Sequence, residues 1–257
     1  MSRVVLITGA SSGFGYEFSK IFASKGYDLV LIARSEDRLI SIKKKLEKKY
    51  SIKVYVLVQD LSLENSGKKV YDYTKDNGLA VDILINNAGF GDYGRFADSS
   101  LEKQLQMINL NDRVLTELTH LFLRNMIINK SGKILNVASI ASFEAGPMMS
   151  VYYASKAYVL SFTESLACEL KGTGVTVTAL CPGPTETGFT KGAEMPDSRL
   201  ADSFRFTKAS DVARYGYKSL MKGEVIAIPG ILNKMGVLAV KFLPRSFVRD
   251  IVYRFQQ

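Results

Sequence analysis

The segment Val4–Gly15, which reads VVLITGASSGFG, joins a short apolar run to three closely spaced glycines. The apolar run is rich in β-branched residues and predicts a buried strand. Gly9, Gly13 and Gly15 then form a G-x-x-x-G-x-G pattern at the expected start of a helix. Glycine permits a tight turn and close backbone approach, and the N–H groups and positive dipole of a helix N-terminus attract anionic oxygens. The segment therefore predicts a pyrophosphate-binding turn, although a plain strand-to-helix turn can also be rich in glycine.

The alternation of strand and helix continues along the chain. Segments with helical periodicity, for example Phe14–Ser24, Ser35–Tyr50 and Glu102–Asn129, separate short runs with strand character. Strands that alternate with helices pair in parallel and are covered on both faces. We therefore predict an α/β fold with a doubly wound parallel sheet of about seven strands. The predicted strands are Val4–Ile7, Leu29–Ala33, Val54–Val58, Ile83–Asn86, Lys133–Ala138, Val175–Leu180 and Glu224–Ile228.

The composition is that of a globular protein. Of the 257 residues, 47% are hydrophobic and 23% are charged. No apolar run approaches the ~20 residues that a membrane-spanning helix needs. We predict a single domain over residues 1–257. Because the first strand begins at Val4, the segment before it is too short for a signal peptide, and we expect a cytoplasmic protein.

Residue types that the chain uses sparingly disfavour several function classes. Cys168 and Cys181 are the only cysteines, and neither belongs to a CxxC or Cys/His pattern, so no metal site is predicted. His120 is the only histidine, and no G-x-S-x-G elbow accompanies it, which disfavours a Ser-His-Asp hydrolase. Part of the net charge of +9 comes from lysines on the solvated face of the helix around residues 43–49. Because no interleaved aromatics accompany that charge, no nucleic-acid partner is predicted.

The second strand ends at Ala33 and Arg34, where a dinucleotide-binding fold meets the adenosine ribose. An acidic residue there accepts hydrogen bonds from a free 2′-hydroxyl, whereas an arginine neutralises a 2′-phosphate. Arg34 therefore favours NADP(H) over NAD(H), unless it is simply a surface arginine at the start of the next helix. Asp60, just after the third strand, is either an acceptor for the adenine amine or a plain helix cap. The small residues and amides of Asn86–Gly89 suit either close approach of a ligand or a tie between strands.

The most informative residues surround the fifth strand and the helix after it. Ser139 ends the strand, Tyr152 opens the helix, and Lys156 follows at i+4 on the same helix face. A nearby ammonium stabilises a phenolate, so Lys156 is expected to lower the pKa of Tyr152 from about 10 toward the working range. Ser139 can hydrogen-bond a substrate oxygen and polarise it. Tyr153 would pair with Ala157 rather than a lysine and is assigned to packing.

These motifs together resemble those of the short-chain dehydrogenase/reductase family. The resemblance covers roughly Val4 to Ile228 and implies a Rossmann-type fold that exchanges hydride with NADP(H). The Ala33–Arg34 pair resembles the NADP(H)-preferring branch. The motifs that carry the resemblance are Thr8–Gly15, Asn86–Gly89, Asn109, Ser139, Tyr152 with Lys156, and Pro182-Gly183 followed by Thr187.

The resemblance also implies roles for single residues. It implies that Asn109 supports a water-linked proton relay to Lys156, and that the nearby Asn111 does not have this role. Lys156 would bind the nicotinamide ribose, the backbone around Pro182–Thr185 would meet the nicotinamide amide, and Thr187 would bond that amide or the diphosphate. The family more often has valine or isoleucine at position 185, a departure that a backbone contact tolerates. The predicted catalytic residues are Asn109, Ser139, Tyr152 and Lys156. The predicted cofactor-binding residues are Gly9, Ser11, Ser12, Gly13, Phe14, Gly15, Arg34, Asp60, Leu61, Asn87, Ala88, Gly89, Tyr152, Lys156, Pro182, Gly183, Thr185 and Thr187.

The resulting hypothesis is an NADP(H)-dependent enzyme that interconverts a carbonyl and an alcohol, with Tyr152 as general acid/base. The alternatives are an NADPH-binding regulatory module without turnover and a nucleotide-sugar-modifying enzyme on the same fold. The absence of the tyrosine or the lysine would favour the regulatory module, and a larger carboxyl-terminal lobe would favour the nucleotide-sugar-modifying enzyme. Aromatic and methionine residues cluster after Gly89, before Tyr152 and in the loop 182–206. If half of them line the cleft, the substrate is a small apolar carbonyl or alcohol.

Two segments outside the core motifs complete the prediction. The loop 182–206, rich in Gly, Pro, Thr and Ser, is predicted to be a substrate lid. Residues 231–257 form a carboxyl-terminal tail, in which apolar residues recur at helical spacing after Pro244 among basic ones. Such a helix can dock on its own subunit, close an interface of a homo-oligomer (dimer or tetramer), or lie on an anionic membrane surface. We rank these settings in that order.

Overall fold

A computed structural model describes residues 3–187 and 207–256. The strands are β1 (Val4–Thr8), β2 (Asp28–Ala33), β3 (Val54–Val58), β4 (Val81–Asn86), β5 (Gly132–Val137), β6 (Val175–Leu180), β7 (Thr185–Glu186), β8 (Thr207–Lys208) and β9 (Ile226–Ala227). Seven of them form one sheet in the order β3-β2-β1-β4-β5-β6-β9, with every neighbouring pair parallel. The chain reverses its direction of winding between β1 and β4, which is where such sheets open a crevice at their carboxyl ends. The predicted doubly wound parallel sheet is confirmed.

Helices cover both faces of this sheet. They are α1 (Gly13–Ala23), α2 (Glu36–Lys49), α3 (Ser66–Asp76), α4 (Leu101–Ile108), α5 (Val114–Ile128), α6 (Ser150–Glu169), α7 (Ala209–Lys222), α8 (Ile231–Phe242) and α9 (Arg245–Gln256). Buried residues of α1, α2 and α7 share one core with the sheet, and those of α3, α5 and α6 share the other. Because it lies between two cores, β1 is buried along its whole length. This explains why its sequence shows no polar alternation.

Side-chain hydrogen bonds join the carboxyl ends of β1 and β4. The Thr8 hydroxyl oxygen accepts the backbone N–H groups of Asn87 and Ala88, each at 2.9 Å. In return, the Asn87 side-chain amide donates to the carbonyl oxygens of Thr8 at 2.8 Å and Gly9 at 3.2 Å. We call these four bonds the Thr8–Asn87 clasp. Asn87 therefore ties the two strands together, which is one of the two roles that the sequence analysis left open for the amides of Asn86–Gly89.

Three details differ from the sequence prediction. The predicted helix Glu102–Asn129 is interrupted, because residues Asn109–Arg113 form one π-helical turn between α4 and α5. The last strand is shorter than Glu224–Ile228, and the short parallel pair of β7 and β8 was not predicted. Of the predicted lid 182–206, residues 188–206 lie outside the described part of the chain.

The predicted tail consists of two helices rather than one. The break falls at Pro244, which lacks the N–H that a continuous helix would need. In α9, Val248 and Gln256 are buried against the rest of the subunit. In α8, Val237 alone is buried. Across residues 3–187 and 207–256, no helix combines the length and the apolar character needed to cross a membrane.

We expect Gly15→Ala to destabilise the fold. A methyl group at this position would overlap the Gly9 carbonyl oxygen and lie 2.8 Å from the Asn87 amide nitrogen, both of which belong to the clasp. Overpacking of this kind lowers the free energy of unfolding by roughly 1–3 kcal/mol. The control is Gly236→Ala in α8, where nothing lies within 4 Å of an added methyl group and helix propensity favours alanine by about 1 kcal/mol. Urea denaturation of both variants checks the prediction, which fails if Gly15→Ala is as stable as the parent.

Candidate active site

A deep cleft lies over the carboxyl ends of the strands. Its volume is about 1180 Å³, more than the roughly 300–1,000 Å³ of a pocket for one small molecule. Among the predicted site residues, Gly15 and Asn109 alone do not line it. The predicted residues that line it are Gly9, Ser11, Ser12, Gly13, Phe14, Arg34, Asp60, Leu61, Asn87, Ala88, Gly89, Ser139, Tyr152, Lys156, Pro182, Gly183, Thr185 and Thr187.

The glycine turn forms one wall of the cleft. Gly9 and Gly13 have φ angles of 65° and 52°, a backbone conformation that favours glycine. Ser12 precedes α1 without a side-chain cap, and the first turn of α1 has no acidic residue. The N–H groups and positive end of α1 therefore meet no competing carboxylate from that turn. Gly15 lies behind the turn, where its lack of a side chain lets α1 approach the clasp. These features fit a pyrophosphate.

Two arginines lie at the adenosine end of the cleft. Arg34 follows β2, and Arg38 lies four residues later on the first turns of α2. Both are exposed, and both line this part of the cleft. Asp60 approaches Arg34 at 4.0 Å and accepts hydrogen bonds from the backbone and hydroxyl of Ser62. The pair of guanidinium groups fits a 2′-phosphate. Sequence reasoning missed Arg38, because its place at the cleft depends on how α2 packs.

Ser139, Tyr152 and Lys156 come together at the other end of the cleft. The Ser139 side chain accepts the backbone N–H of Ala141 at 3.1 Å and is hydrogen-bonded to Tyr152. Lys156 donates from its ammonium nitrogen to the Val137 carbonyl oxygen at 2.8 Å, and that nitrogen lies 5.8 Å from the centre of the Tyr152 ring. The predicted cluster is therefore assembled.

Burial sets the protonation of this cluster. Burial raises the pKa of Tyr152 to about 12, although the hydrogen bond with Ser139 acts to lower that pKa. It also lowers the pKa of Lys156 to about 8, whereas the charge of Asp112 raises it. The expectation that Lys156 brings the Tyr152 pKa down toward neutrality is therefore wrong for this cleft, where desolvation of the phenolate is the largest influence on that pKa and the Ser139 hydrogen bond only partly offsets it. Tyr152 is a neutral phenol at pH 7.

Asn111, rather than Asn109, belongs to this cluster. Its side chain is 1% exposed, bonds both backbone groups of Phe90 and donates to the Ser155 hydroxyl at 3.0 Å. A methyl group built on Gly89 would lie 2.9 Å from the Asn111 carbonyl oxygen and 3.5 Å from the Lys156 nitrogen. Asn109 is partly exposed and two residues earlier, about half a helical turn away. The structure does not bring it into the cluster.

A buried carboxyl group follows Asn111 in the same π-helical turn. Burial raises the pKa of Asp112 to about 7, and the charge of Lys156 opposes that rise. Its Oδ1 atom is buried and has no hydrogen-bond partner among the described residues. Asp112 therefore adds a second titrating group beside Lys156, which sequence reasoning did not anticipate.

The segment after β6 closes the cleft near the catalytic cluster. The Pro182 carbonyl accepts the backbone N–H of Ile140 at 3.0 Å, and the Thr185 hydroxyl donates to the Gly183 carbonyl at 2.8 Å. A methyl group built on Gly13 would lie 3.5 Å from Thr187, so this segment also reaches the glycine turn. Both regions can therefore contact one extended ligand.

Helix α9 forms the opposite wall. Ile251, Val252, Phe255 and Gln256 line the cleft. Gln256 donates from its side chain to the Tyr153 hydroxyl at 2.9 Å, and its carbonyl accepts from the Tyr93 hydroxyl. Its Oε1 atom is buried without a partner among the described residues. Sequence reasoning recognised the apolar stripe of this helix but not its place over the cleft.

Some of the aromatic and methionine residues considered for the substrate site line the cleft, and others do not. Phe90 and Met149 line the cleft, whereas Phe96 is exposed. The candidates in the loop after Thr187 lie outside the described residues. Helix α9 adds Ile251, Val252 and Phe255 to the apolar lining, which the sequence analysis did not anticipate.

Comparison with known proteins agrees with this geometry. A family model described as short chain dehydrogenase matches residues 3–197. Sulfoacetaldehyde reductase 2 of Chromohalobacter salexigens is 38% identical over 219 residues, which are 83% of this chain and 86% of that protein.

Two solved structures extend the comparison to cofactor complexes. A short-chain dehydrogenase from Sphingobium yanoikuyae in complex with NADPH has a TM-score of 0.83 and 28% identity, over 95% of this chain and 97% of that chain. A short-chain dehydrogenase/reductase from Burkholderia phymatum in complex with NAD has a TM-score of 0.81 and 27% identity, over 93% and 92%. The matched segment contains the glycine turn and the Ser139, Tyr152 and Lys156 cluster, and the chain belongs to the short-chain dehydrogenase/reductase family of NAD(P)-dependent oxidoreductases.

Proposed function

We propose that this protein interconverts a carbonyl group and an alcohol by hydride transfer with NADP(H), with Tyr152 as the general acid/base. The observation that carries the proposal is the convergence of Ser139, Tyr152 and Lys156 in one cleft with a glycine turn and two arginines. The nicotinamide, when bound, supplies or accepts the hydride. A regulatory module that only bound the cofactor would have no need for this cluster.

In the reduction direction, Tyr152 donates a proton to the substrate oxygen. Its pKa of about 12 keeps the phenol protonated at neutral pH, which is the state that a proton donor requires. Ser139, hydrogen-bonded to that phenol, lies within reach of the same oxygen and holds it for proton transfer. Neutral phenol favours reduction, and oxidation of an alcohol requires prior loss of this proton.

Lys156 stabilises the phenolate that proton donation leaves behind. Its ammonium lies 5.8 Å from the centre of the Tyr152 ring in a buried setting, where attraction between opposite charges is stronger than in water. We assign to Asn111 the relay role that the family resemblance suggested for Asn109. The Asn111 side-chain oxygen and the Lys156 nitrogen lie 2.9 Å and 3.5 Å from a methyl group built on Gly89, so both groups face the same point, where a bridging water molecule would complete the relay.

We propose NADP(H) as the preferred cofactor and a small apolar carbonyl or alcohol as the substrate. Related structures contain either NADPH or NAD and so do not discriminate between the two cofactors. The proposed cofactor preference therefore rests on Arg34 and Arg38. The substrate preference rests on Phe90, Met149 and the apolar residues of α9 that line the cleft. A cytoplasmic location and assembly into a homo-oligomer remain predictions, for which fractionation and sedimentation velocity are the tests.

We expect Tyr152→Phe to lose roughly 10²–10⁴-fold in turnover, the usual contribution of a general acid. NADPH affinity should stay close to that of the parent, because only the proton donor is removed. The matched control is Tyr153→Phe, which removes the neighbouring hydroxyl and its bond to Gln256 and should keep most of the activity. Steady-state kinetics and NADPH titration by fluorescence measure both effects. The opposite result, in which Tyr153→Phe is inactive and Tyr152→Phe is active, would falsify the assignment.

Arg34→Ala and Arg38→Ala should each weaken NADPH binding and leave NADH binding unchanged. A charge-assisted hydrogen bond contributes about 1.5–3 kcal/mol, which corresponds to a roughly ten- to hundredfold loss of affinity. Arg214→Ala, an exposed arginine of α7 that pairs with Asp211, is the control for a lost surface charge. Calorimetric titration of both cofactors measures the selectivity. Superimposable NADPH and NADH curves for the parent protein would refute the NADP(H) preference.

The kcat/KM for carbonyl reduction should decline as pH rises through about 8, where Lys156 loses its proton. Asp112→Asn removes the negative charge that raises the Lys156 pKa, so the decline should move to lower pH. Asp211→Asn, which changes an exposed carboxylate of α7, should leave the profile unchanged. A profile that stays in place, or moves to higher pH, in Asp112→Asn contradicts the proposed coupling.

A further inference from the structure

Helix α8 carries a stripe of large apolar side chains that are exposed in the described part of the chain, residues 3–187 and 207–256. Ile231, Met235, Leu238 and Phe242 follow at i, i+4, i+7 and i+11, so they share one face of the helix. Their exposed fractions are 77%, 62%, 56% and 81%. We call these four side chains the α8 stripe. Contiguous exposed apolar surfaces of this kind mark sites of interaction rather than ordinary solvent contact.

The neighbouring helix α9 provides an internal comparison. It has the same length as α8 and a similar apolar periodicity, yet it buries Val248 and Gln256 against its own subunit and lines the cleft. Helix α9 thus covers part of its apolar face, although its Phe247 and Phe255 are 52% and 56% exposed. Among the described residues, none covers the α8 stripe to a similar extent.

Charge identifies the occupant of the α8 stripe. Lys234 and Lys241 lie seven residues apart along one edge of the stripe, and both are exposed. Beyond Ile231 the sequence contains five basic residues and one acidic residue, Asp250, which Arg249 contacts at 2.8 Å. A second copy docked across a two-fold axis through this stripe would bring the same lysines to the same interface. Like charges placed there oppose that dimer, whereas an anionic surface attracts them.

We propose that α8 docks this protein on the surface of a membrane that contains anionic lipids. The α8 stripe enters the boundary between headgroups and acyl chains, and Lys234 and Lys241 contact the phosphate or carboxylate groups of the lipids. One short helix gives weak, reversible binding, in keeping with the absence of a spanning helix among the described residues. This inference does not depend on the proposed enzymatic function.

The docking helix adjoins the catalytic cleft. The side chain of Asn233, in the first turn of α8, lies 2.7 Å from the position of a methyl group built on Gly183, in the segment next to the catalytic cluster. Phe255 of α9 lines the cleft and is half exposed. A bilayer that contacts α8 therefore lies near one wall of the substrate cleft.

The chain has no tryptophan, so a single introduced tryptophan reports its own surroundings. Leu238→Trp should show a blue-shifted emission with vesicles of phosphatidylcholine and phosphatidylserine, and quenching by brominated acyl chains. Phe96→Trp, at an exposed apolar position (60%) before α4, should show neither effect. Vesicles of phosphatidylcholine alone and high salt should both reduce the shift, because the attraction is electrostatic.

Charge reversal tests the basic edge by vesicle sedimentation. Lys234→Glu with Lys241→Glu should weaken binding to the anionic vesicles by at least roughly tenfold, given the usual contribution of each cation near an anionic surface. Lys44→Glu with Lys45→Glu changes the net charge equally on the exposed face of α2 and should bind like the parent. Met235→Ser with Phe242→Ser should also lose binding and keep the parent's melting temperature, since both side chains are exposed.

Three results would overturn the proposal. The first is equal binding of the parent and all variants to anionic vesicles, and the second is no binding by the parent. The third is a lower sedimentation mass for Met235→Ser with Phe242→Ser in the absence of lipid, which would identify the α8 stripe as a subunit interface. Neither readout requires turnover, so failure here leaves the proposed reaction untouched.

Discussion

The clasp between Thr8 and Asn87 is the constraint on which the site depends. It joins β1 to β4 at the point where the sheet changes its direction of winding, and it uses both a hydroxyl and a side-chain amide. The glycine turn leaves one side of the clasp, and the loop from Asn87 to Gly89 leaves the other. Because a buried polar group without a partner is costly, the clasp fixes both loops together. Gly15 follows from the same constraint, since a side chain there would enter the space that the Gly9 carbonyl and the Asn87 amide occupy.

Sequence reasoning succeeded where the signal is local and failed where it depends on packing. The strands were predictable because residues buried between two helical layers must be apolar throughout, and Ser139, Tyr152 and Lys156 were predictable from their spacing. The inward position of Asn111 was not predictable from the sequence. The apolar period continues across α4 and α5, and nothing in that period marks the π-helical turn that sets which asparagine points inward. Arg38 and Gln256 enter the cleft only through the placement of α2 and α9. That placement is a tertiary property, and the sequence of either helix is equally compatible with a solvated polar face.

The error about Tyr152 has a physical origin of its own. A lysine one helical turn away lowers the pKa of a phenol only while the attraction between the two charges exceeds the cost of removing them from water. Here both groups are buried, so burial raises the Tyr152 pKa to about 12 and lowers the Lys156 pKa to about 8, which leaves a neutral phenol beside a lysine that is still mostly protonated at pH 7. A neutral phenol beside an ammonium close to its titration point is suited to proton donation. In the proposed reaction, the ion pair between phenolate and ammonium would form only when Tyr152 gives up its proton, and in low dielectric its attraction would act where the new charge develops.

The two tail helices have different roles beside this cleft. Sequence periodicity treats residues 231–257 as one basic amphipathic segment with one partner, but Pro244 divides it, and each half buries a different amount of its apolar surface. Helix α9 closes the cleft, and Asn233 of α8 contacts the segment at Gly183, so the helix that carries the exposed stripe and the loop that borders the catalytic cluster are in direct contact. A bilayer beneath α8 would lie beside the half-exposed Phe255. An apolar substrate dissolved in that bilayer would then reach the cleft without first entering water, a transfer that the hydrophobic effect opposes.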